Sequence, residues 1–351
     1  MKLLIVTQKI DINDPILGFF HRWTEEFSKN CEKVTVVCLE KGEYSLPSNV
    51  TVLSLGKEEY IRSHSYYSHI FSKFLFVYRF YKYIWQERKN YDAVFVHMNQ
   101  EYALLGWKLW KLLGKKIMLW RNHPYGSFLT NFAVWVSDRV FCTSKYSYTA
   151  RFKKTEIMPV GIDTDFFRRK PEIKKTPNSI LFLGRISPIK KPDLFIKALN
   201  LLDKDGITFK ALIVGDPLPK DIGYYEGLKL KVKEYNLENK VEFIGSVKHE
   251  EAVDLYNKYE LYVNLTPSGS MDKTIFEAMA CESLVLVANK SLNDEIDKEF
   301  VLERESDKNI AFQLKNILSL NIKEREVPNK KLRDIVINKH SLNKLVKNLF
   351  K

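Results

Sequence analysis

Short apolar runs alternate with longer amphipathic stretches along the whole chain. The runs Leu3–Val6, Val34–Leu39, Val52–Leu55, Ala93–His97, Ile117–Trp120, Arg139–Cys142 and Ile157–Val160 read as strands. The series resumes with Ile180–Leu183, Lys210–Val214, Val241–Ile244, Leu261–Leu265 and Leu284–Val287. Between them, stretches such as Leu17–Ser28, Tyr102–Leu113, Asp193–Leu202 and His249–Tyr259 carry apolar residues at helical spacing. Strands alternating with helices imply parallel βαβ units with right-handed crossovers. Runs such as Leu-Ile-Val are apolar on both faces, as strands covered on both sides should be. The expected fold class is therefore α/β with parallel sheets.

The alternation pauses over residues 163–179, where Arg168, Arg169, Lys170, Pro171, Lys174, Lys175 and Pro177 leave no apolar period. At 351 residues the chain is also too long for a single core. The pattern predicts one domain over residues 1–165, a linker over 166–179 and a second domain over 180–328. A final helical stretch over 329–351 is expected to return to the first domain. Leu3–Val6 is followed at once by Gln8, Lys9 and Asp11, so it reads as a buried first strand rather than a secretion signal. No run approaches the ~18 apolar residues of a membrane span. Cys31, Cys38, Cys142 and Cys281 form neither a C-x-x-C pair nor a zinc-spaced cluster. A reduced, cytoplasmic compartment follows as the expectation.

Charge adds an asymmetry. Of the net +13, residues 1–170 hold 26 Lys+Arg against 16 Asp+Glu. A basic first half suits an acidic partner such as anionic lipid or a phosphorylated acceptor, and equally a merely solubilising surface. No nucleic-acid-binding motif accompanies the charge, so nucleic acid is set aside. Within this half, Ile70, Phe74, Val77, Tyr81 and Ile84 repeat at helical spacing, with Arg79 and Lys82 off the stripe. Such a helix either packs on the sheet or lies on an anionic membrane, on the inner face if the compartment is cytoplasmic.

Two constellations can carry chemistry. In the first, a strand ends at Gly184, and the following turn delivers Arg185 and Lys190 beyond its carboxyl end, where parallel sheets bind ligands. Arg as a fork and Lys as a point charge can clasp two adjacent phosphates. In the second, the strand at Leu261–Leu265 runs into the polar loop containing Ser268, Gly269 and Ser270. A helix then starts near Asp272, Lys273 and Thr274. First-turn N–H groups lack internal partners and the helix dipole favours anions. Glu277 falls about one turn into that helix, where its carboxylate can accept from both hydroxyls of a ribose.

Taken together these segments resemble the retaining GT-B glycosyltransferases of the family 4 type, also called glycosyl transferases group 1. That family carries a G-R-x-x-x-x-K segment after the first strand of its second domain, matched by Gly184, Arg185 and Lys190. It carries a later E-x7-E segment whose second Glu opens E-A-M-A, matched by Glu277-Ala278-Met279-Ala280. Leu212–Asp216, with Gly215 at its turn, resembles the family's central strand, and Val160–Phe167 the segment before its hinge. The resemblance implies two Rossmann-like domains facing across a cleft. It implies transfer of a hexose from a nucleoside-diphosphate sugar to a hydroxyl of a glycan or lipid-linked glycan, with retention and without a divalent metal. Arg185 and Lys190 would hold the diphosphate and Glu277 the ribose. Asp163-Thr164-Asp165, which looks like a D-x-D metal motif, is then a decoy.

The first Glu of E-x7-E falls on Gly269, leaving the transferred sugar open. Ser268, Ser270, Asp272, Lys273 and Thr274 offer hydroxyls, a carboxylate, an ammonium and N–H groups in its place. On the first domain, His123 stands where many members place a histidine that reaches the donor sugar. Gly18, His21 and His97 are expected on the acceptor side. Two rival readings remain: a sugar-nucleotide epimerase of the same fold, and a non-catalytic nucleotide-sugar-binding protein.

Overall fold

Leu3, Leu4, Ile5 and Val6 are fully buried because their strand has a neighbour on each side and helices on both faces. That strand, β1 (Lys2–Ile10), is at the heart of a seven-stranded parallel sheet. The others are β2 (Lys33–Lys41), β3 (Val50–Ser54), β4 (Ala93–His97), β5 (Lys116–Trp120), β6 (Arg139–Cys142) and β7 (Thr155–Ile157). Their order is β3-β2-β1-β4-β5-β6-β7. The computed structural model describes residues 1–61, 68–269 and 271–351. These divide into a first unit, Met1–Met158 with Leu345–Lys351, and a second unit, Pro159–Lys344.

Among the helices of the first unit, α1 (Phe19–Lys29) lays Trp23 and Phe27 edge-on against Trp120 and Phe95 on one face of the sheet. After α2 (Lys57–Ile61), helices α3 (Ser68–Gln86), α4 (Gln100–Leu112) and α5 (Phe128–Val136) share a core on the other face. Phe80, Ile84, Ala103, Trp110 and Val134 meet Leu4, Val6, Val94 and Leu119 there. In the terminal segment, Phe350 packs edge-on against Phe27, and Arg139 donates to the carbonyls of Asn348 and Leu349.

The second unit has a five-stranded parallel sheet, ordered β10-β9-β8-β11-β12. Its strands are β8 (Thr176–Leu183), β9 (Lys210–Val214), β10 (Val241–Ile244), β11 (Tyr259–Asn264) and β12 (Leu284–Val287). The helices are α6 (Pro192–Lys204), α7 (Ile222–Glu234), α8 (His249–Lys258), α9 (Lys273–Ala280), α10 (Asp307–Ser319) and α11 (Ile322–Ile335). One π-helical turn, Val336–His340, leads to α12 (Leu342–Leu349).

Residues 166–179 are not a linker. The first unit ends at Met158, and β8 already begins at Thr176. Phe167 is fully buried in the core of the second unit. Asn257 of α8 accepts from the Arg169 guanidinium (2.9 Å) and the Lys170 N–H (2.7 Å). The charged composition hid a segment fastened through one aromatic anchor and one buried amide.

Candidate functional site

In each sheet the strand order reverses direction at one point, between β1 and β4 and between β8 and β11. Ligands of open parallel sheets bind outside the carboxyl ends of the strands at such points. In the second unit β8 ends at Gly184 (φ +148°) and β9 at Gly215 (φ +138°), backbone conformations that L side chains rarely adopt. A Cβ on Gly215 would lie 2.1 Å from the Gly184 carbonyl oxygen, so the two strand ends touch without room for a side chain. The chain then runs through Ile186, whose N–H donates to Asp216 O at 3.1 Å, and turns back at Lys191 (φ +54°).

This turn leaves Arg185 exposed and folds Lys190 back over Gly184; a Cβ there would be 3.9 Å from Nζ. The Lys190 ammonium pairs with Asp272, which stands immediately before α9 on the far side of the reversal point. Asp272 Oδ2 also accepts from Asn264 Nδ2 (3.0 Å) and Thr266 Oγ1 (3.2 Å), and Oδ1 from Thr274 Oγ1 (3.0 Å). The Tyr262 hydroxyl, within reach of both Leu183 O (3.0 Å) and Thr274 Oγ1 (2.7 Å), ties β8 to the same cluster. Burial opposes charge on Asp272, but the ammonium and these donors outweigh it and hold its carboxyl far below the usual range.

Lys273 is not available to a phosphate. Its ammonium donates to Val160 O (2.6 Å) and reaches Gly161 O (3.4 Å). Burial pushes its pKa down to about 7. Above that pH the native protein sheds a proton that the unfolded chain keeps until about 10.5, so stability should climb with pH between these limits. The contribution is at most about 1.4 kcal/mol per pH unit and is absent below pH 7. Lys273→Met should flatten the climb, read as urea midpoints from pH 6.5 to 9. Equal slopes in the two proteins would mean that Lys273 stays charged in the fold.

Glu277 is buried, one turn into α9. His249 Nε2 lies 3.3 Å from Oε1, and the Tyr256 hydroxyl donates to Oε2 at 3.2 Å. His249 and Tyr256 are seven residues apart, two turns of α8 on one face, a spacing that could have flagged them. His249 stacks on Phe166 and meets Phe167 edge-on. Ser268 accepts from the Lys290 N–H (2.9 Å), while Gly269 takes φ +138°. Ser270 lies outside the described residues.

In the first unit, His97 is buried at the reversal point. It bonds Thr7 Oγ1 (3.1 Å) and stacks on Phe20 at 3.9 Å, with Phe19, Trp23 and Phe95 around it. His21 is also buried, with Nε2 accepting from the Ser45 N–H (3.1 Å), and burial lowers its pKa. The structure thus packs both expected acceptor-side histidines inside: the α1 aromatic residues lie against His97, and His21 is on the buried side of α1 itself. A Cβ on Gly18 would sit 2.5 Å from Asp14 O, so this glycine closes the loop after β1. That loop is gathered by Lys9, paired with Asp11, Asp14 and Glu40, a cluster that sequence reasoning missed. His123 alone of the three is exposed, its Nδ1 lying against the Tyr125 backbone. Asp163 spends Oδ1 on the N–H groups of Asp165 and Phe166 (3.1 Å each). Among the described residues, no group of three or more His, Cys, Asp or Glu is placed to hold a metal ion.

A family model described as "Glycosyl transferases group 1" matches residues 163–334, which carry every element of the reversal point in the second unit. This stretch of the second unit is similar to the glycosyl transferases group 1 family. Over 182 residues the chain is 24% identical to the phosphatidylinositol N-acetylglucosaminyltransferase GPI3 subunit of Saccharomyces cerevisiae, covering 48% of this chain and 38% of that one. Over 152 residues it is 28% identical to the D-inositol 3-phosphate glycosyltransferase of Nocardia farcinica, covering 40% and 34%. The chain thus matches little more than a third of the length of these curated relatives. Among solved structures, Anabaena HepE in complex with UDP and glucose superposes with a TM-score of 0.77 at 14% identity, covering 99% of this chain and 98% of that one. Sucrose-phosphate synthase from Thermosynechococcus elongatus gives 0.77 at 16% identity, covering 99% and 97%. These likenesses extend over both units and give the fold as GT-B.

Proposed function

We propose that the protein transfers a hexose from a nucleoside-diphosphate sugar to a hydroxyl of a glycan or lipid-linked glycan, retaining configuration at the sugar and needing no divalent metal. It would act in the cytoplasm or on the inner membrane face. The observation that carries this reading is the placement of exposed Arg185 and half-buried Lys190 with the start of α9 at one reversal point. A fork, a point charge and a helix N-terminus together favour a diphosphate. The same groups stabilise the charge that grows on the leaving diphosphate as the glycosidic bond breaks. Glu277, its outer oxygens held by α8, receives the ribose hydroxyls. Gly184 and Gly215 let the backbone approach the ligand, as does Gly269. Thr274 supports Asp272, and His123 is the residue that the family resemblance assigns to the sugar. HepE, of like fold, is held with UDP and glucose, which supports a nucleotide-sugar donor here.

Calorimetry with a panel of nucleotide sugars in EDTA tests the donor site. Binding is expected without added metal. Binding abolished by EDTA and restored by Mg²⁺ or Mn²⁺ would refute the metal-free site. Nucleotide release, followed with and without an added hydroxyl acceptor, separates transfer from isomerisation of the donor.

A further inference from the structure

The outward side of α3 is apolar where a soluble surface should be polar. Its inner side is accounted for: Phe80 and Ile84 are in the core. Yet Phe74 is 72% exposed, Tyr78 63% and Trp85 50%, with Val77 and Tyr81 on the same side. These positions recur at i, i+3/i+4, i+7 and i+11, so they form one stripe along the helix.

The stripe continues onto the neighbouring helices. The Tyr81 hydroxyl donates to Leu105 O of α4 at 2.8 Å. Trp107 of α4 meets Phe132 (5.7 Å) and Trp135 (6.4 Å) of α5. On α5, Phe128 and Trp135 are 78% and 67% exposed, and Leu129 is exposed beside them. Leu112 closes α4 in the open. Monomeric soluble proteins rarely expose so broad a contiguous apolar surface unless it binds something.

The cations choose the occupant. No Asp or Glu occurs from Ser68 to Gln86. Lys73, Lys82 and Lys89 are exposed beside the aromatic stripe. The Arg88 guanidinium stacks over Trp85 at 4.3 Å, and Lys108 lies over Trp107. Of the exposed acids nearby, Asp138 is paired with Lys111 at 2.5 Å, and Glu101 opens α4. A second copy of this face would bring lysines against lysines, so self-association is disfavoured. Aromatic rings with long cationic side chains instead suit the headgroup region of an anionic bilayer, where rings sit at the boundary and ammonium groups reach phosphates. Among the described residues no helix is long and apolar enough to cross a membrane.

We infer that the outward face of α3, α4 and α5 is a docking surface for an anionic phospholipid bilayer. Arg79 is not part of it: its guanidinium is spent on Leu55 O (3.0 Å) and Glu59 (3.1 Å). The inference does not rest on sugar transfer, since vesicle binding needs neither donor nor turnover.

The test is co-sedimentation of the whole chain with phosphatidylcholine vesicles with and without 30 mole per cent (about a third) phosphatidylglycerol, a strongly anionic surface. The parent should bind the anionic vesicles and release with added salt. Lys73→Ser, Lys82→Ser and Lys89→Ser together should weaken binding roughly 100-fold, at about fivefold per lysine. Phe128→Ser with Trp135→Ser on α5 should weaken it at least tenfold, although α5 carries few charges. Circular dichroism on each variant guards against unfolding. A parent that ignores anionic vesicles, variants that bind as the parent does, or a dimer in sedimentation velocity that the α5 variant dissolves would each overturn the inference.

Discussion

Alanine at Arg185 is expected to lower turnover by roughly 10²–10³ while leaving the KM for the nucleotide sugar within a few-fold. The guanidinium is exposed and comes off a backbone fixed by Gly184 and Gly215, so its removal disturbs little else. On the proposed reading, what it loses is contact with a diphosphate whose charge increases toward the transition state, and such contacts act on rate more than on binding. Arg185→Lys should recover part of the rate, since the charge returns without the fork. Steady-state kinetics at saturating acceptor decide it. A raised KM with unchanged kcat would remove Arg185 from the leaving-group side.

Asp272→Ala should cost roughly 3–5 kcal/mol of stability, because it leaves the Lys190 ammonium without its counter-charge in a largely buried site. Both side chains are mostly covered, at 18% and 15% exposure. Asn264, Thr266 and Thr274 lose an acceptor at the same time. Adding Lys190→Met to the same chain should restore a good part of the loss, since the orphaned charge goes with it. Urea unfolding of the two single variants and the double variant measures the coupling. Strict additivity would mean that the pair contributes nothing as a pair.

The strand runs were legible because strands buried on both faces leave contiguous apolar letters, and β1, β4, β8 and β12 all do so. That alternation gave the parallel α/β class, and the GT-B fold came from the family resemblance carried by Gly184, Arg185, Lys190 and Glu277. The segment at 166–179 was misread because its anchorage runs through Phe167 and through Asn257, nearly ninety residues downstream. Lys190 and Asp272 are 82 positions apart, and nothing local announces that one neutralises the other. His21 and His97 misled for a different reason. A histidine at a strand end or on a helix is placed by what covers it: Phe20 and Trp23 of α1 lie against His97, and the Ser45 N–H holds His21.

The bond from Lys273 to Val160 and Gly161 bears on where this protein can be cut. The same short stretch is braced from behind: Gly161 and Ile162 donate to His340 O at 2.9 Å, and Leu342 N returns a bond to Ile162 O at 2.7 Å. Family similarity begins at residue 163 and ends at 334, so an excised piece with those ends would discard both partners of this brace. It would take the Val160 and Gly161 carbonyls from the Lys273 ammonium and remove the π-helical turn. The borders of shared ancestry therefore fall inside the border of the folding unit, and a stand-alone second half has to keep Pro159 at one end and Leu342 at the other.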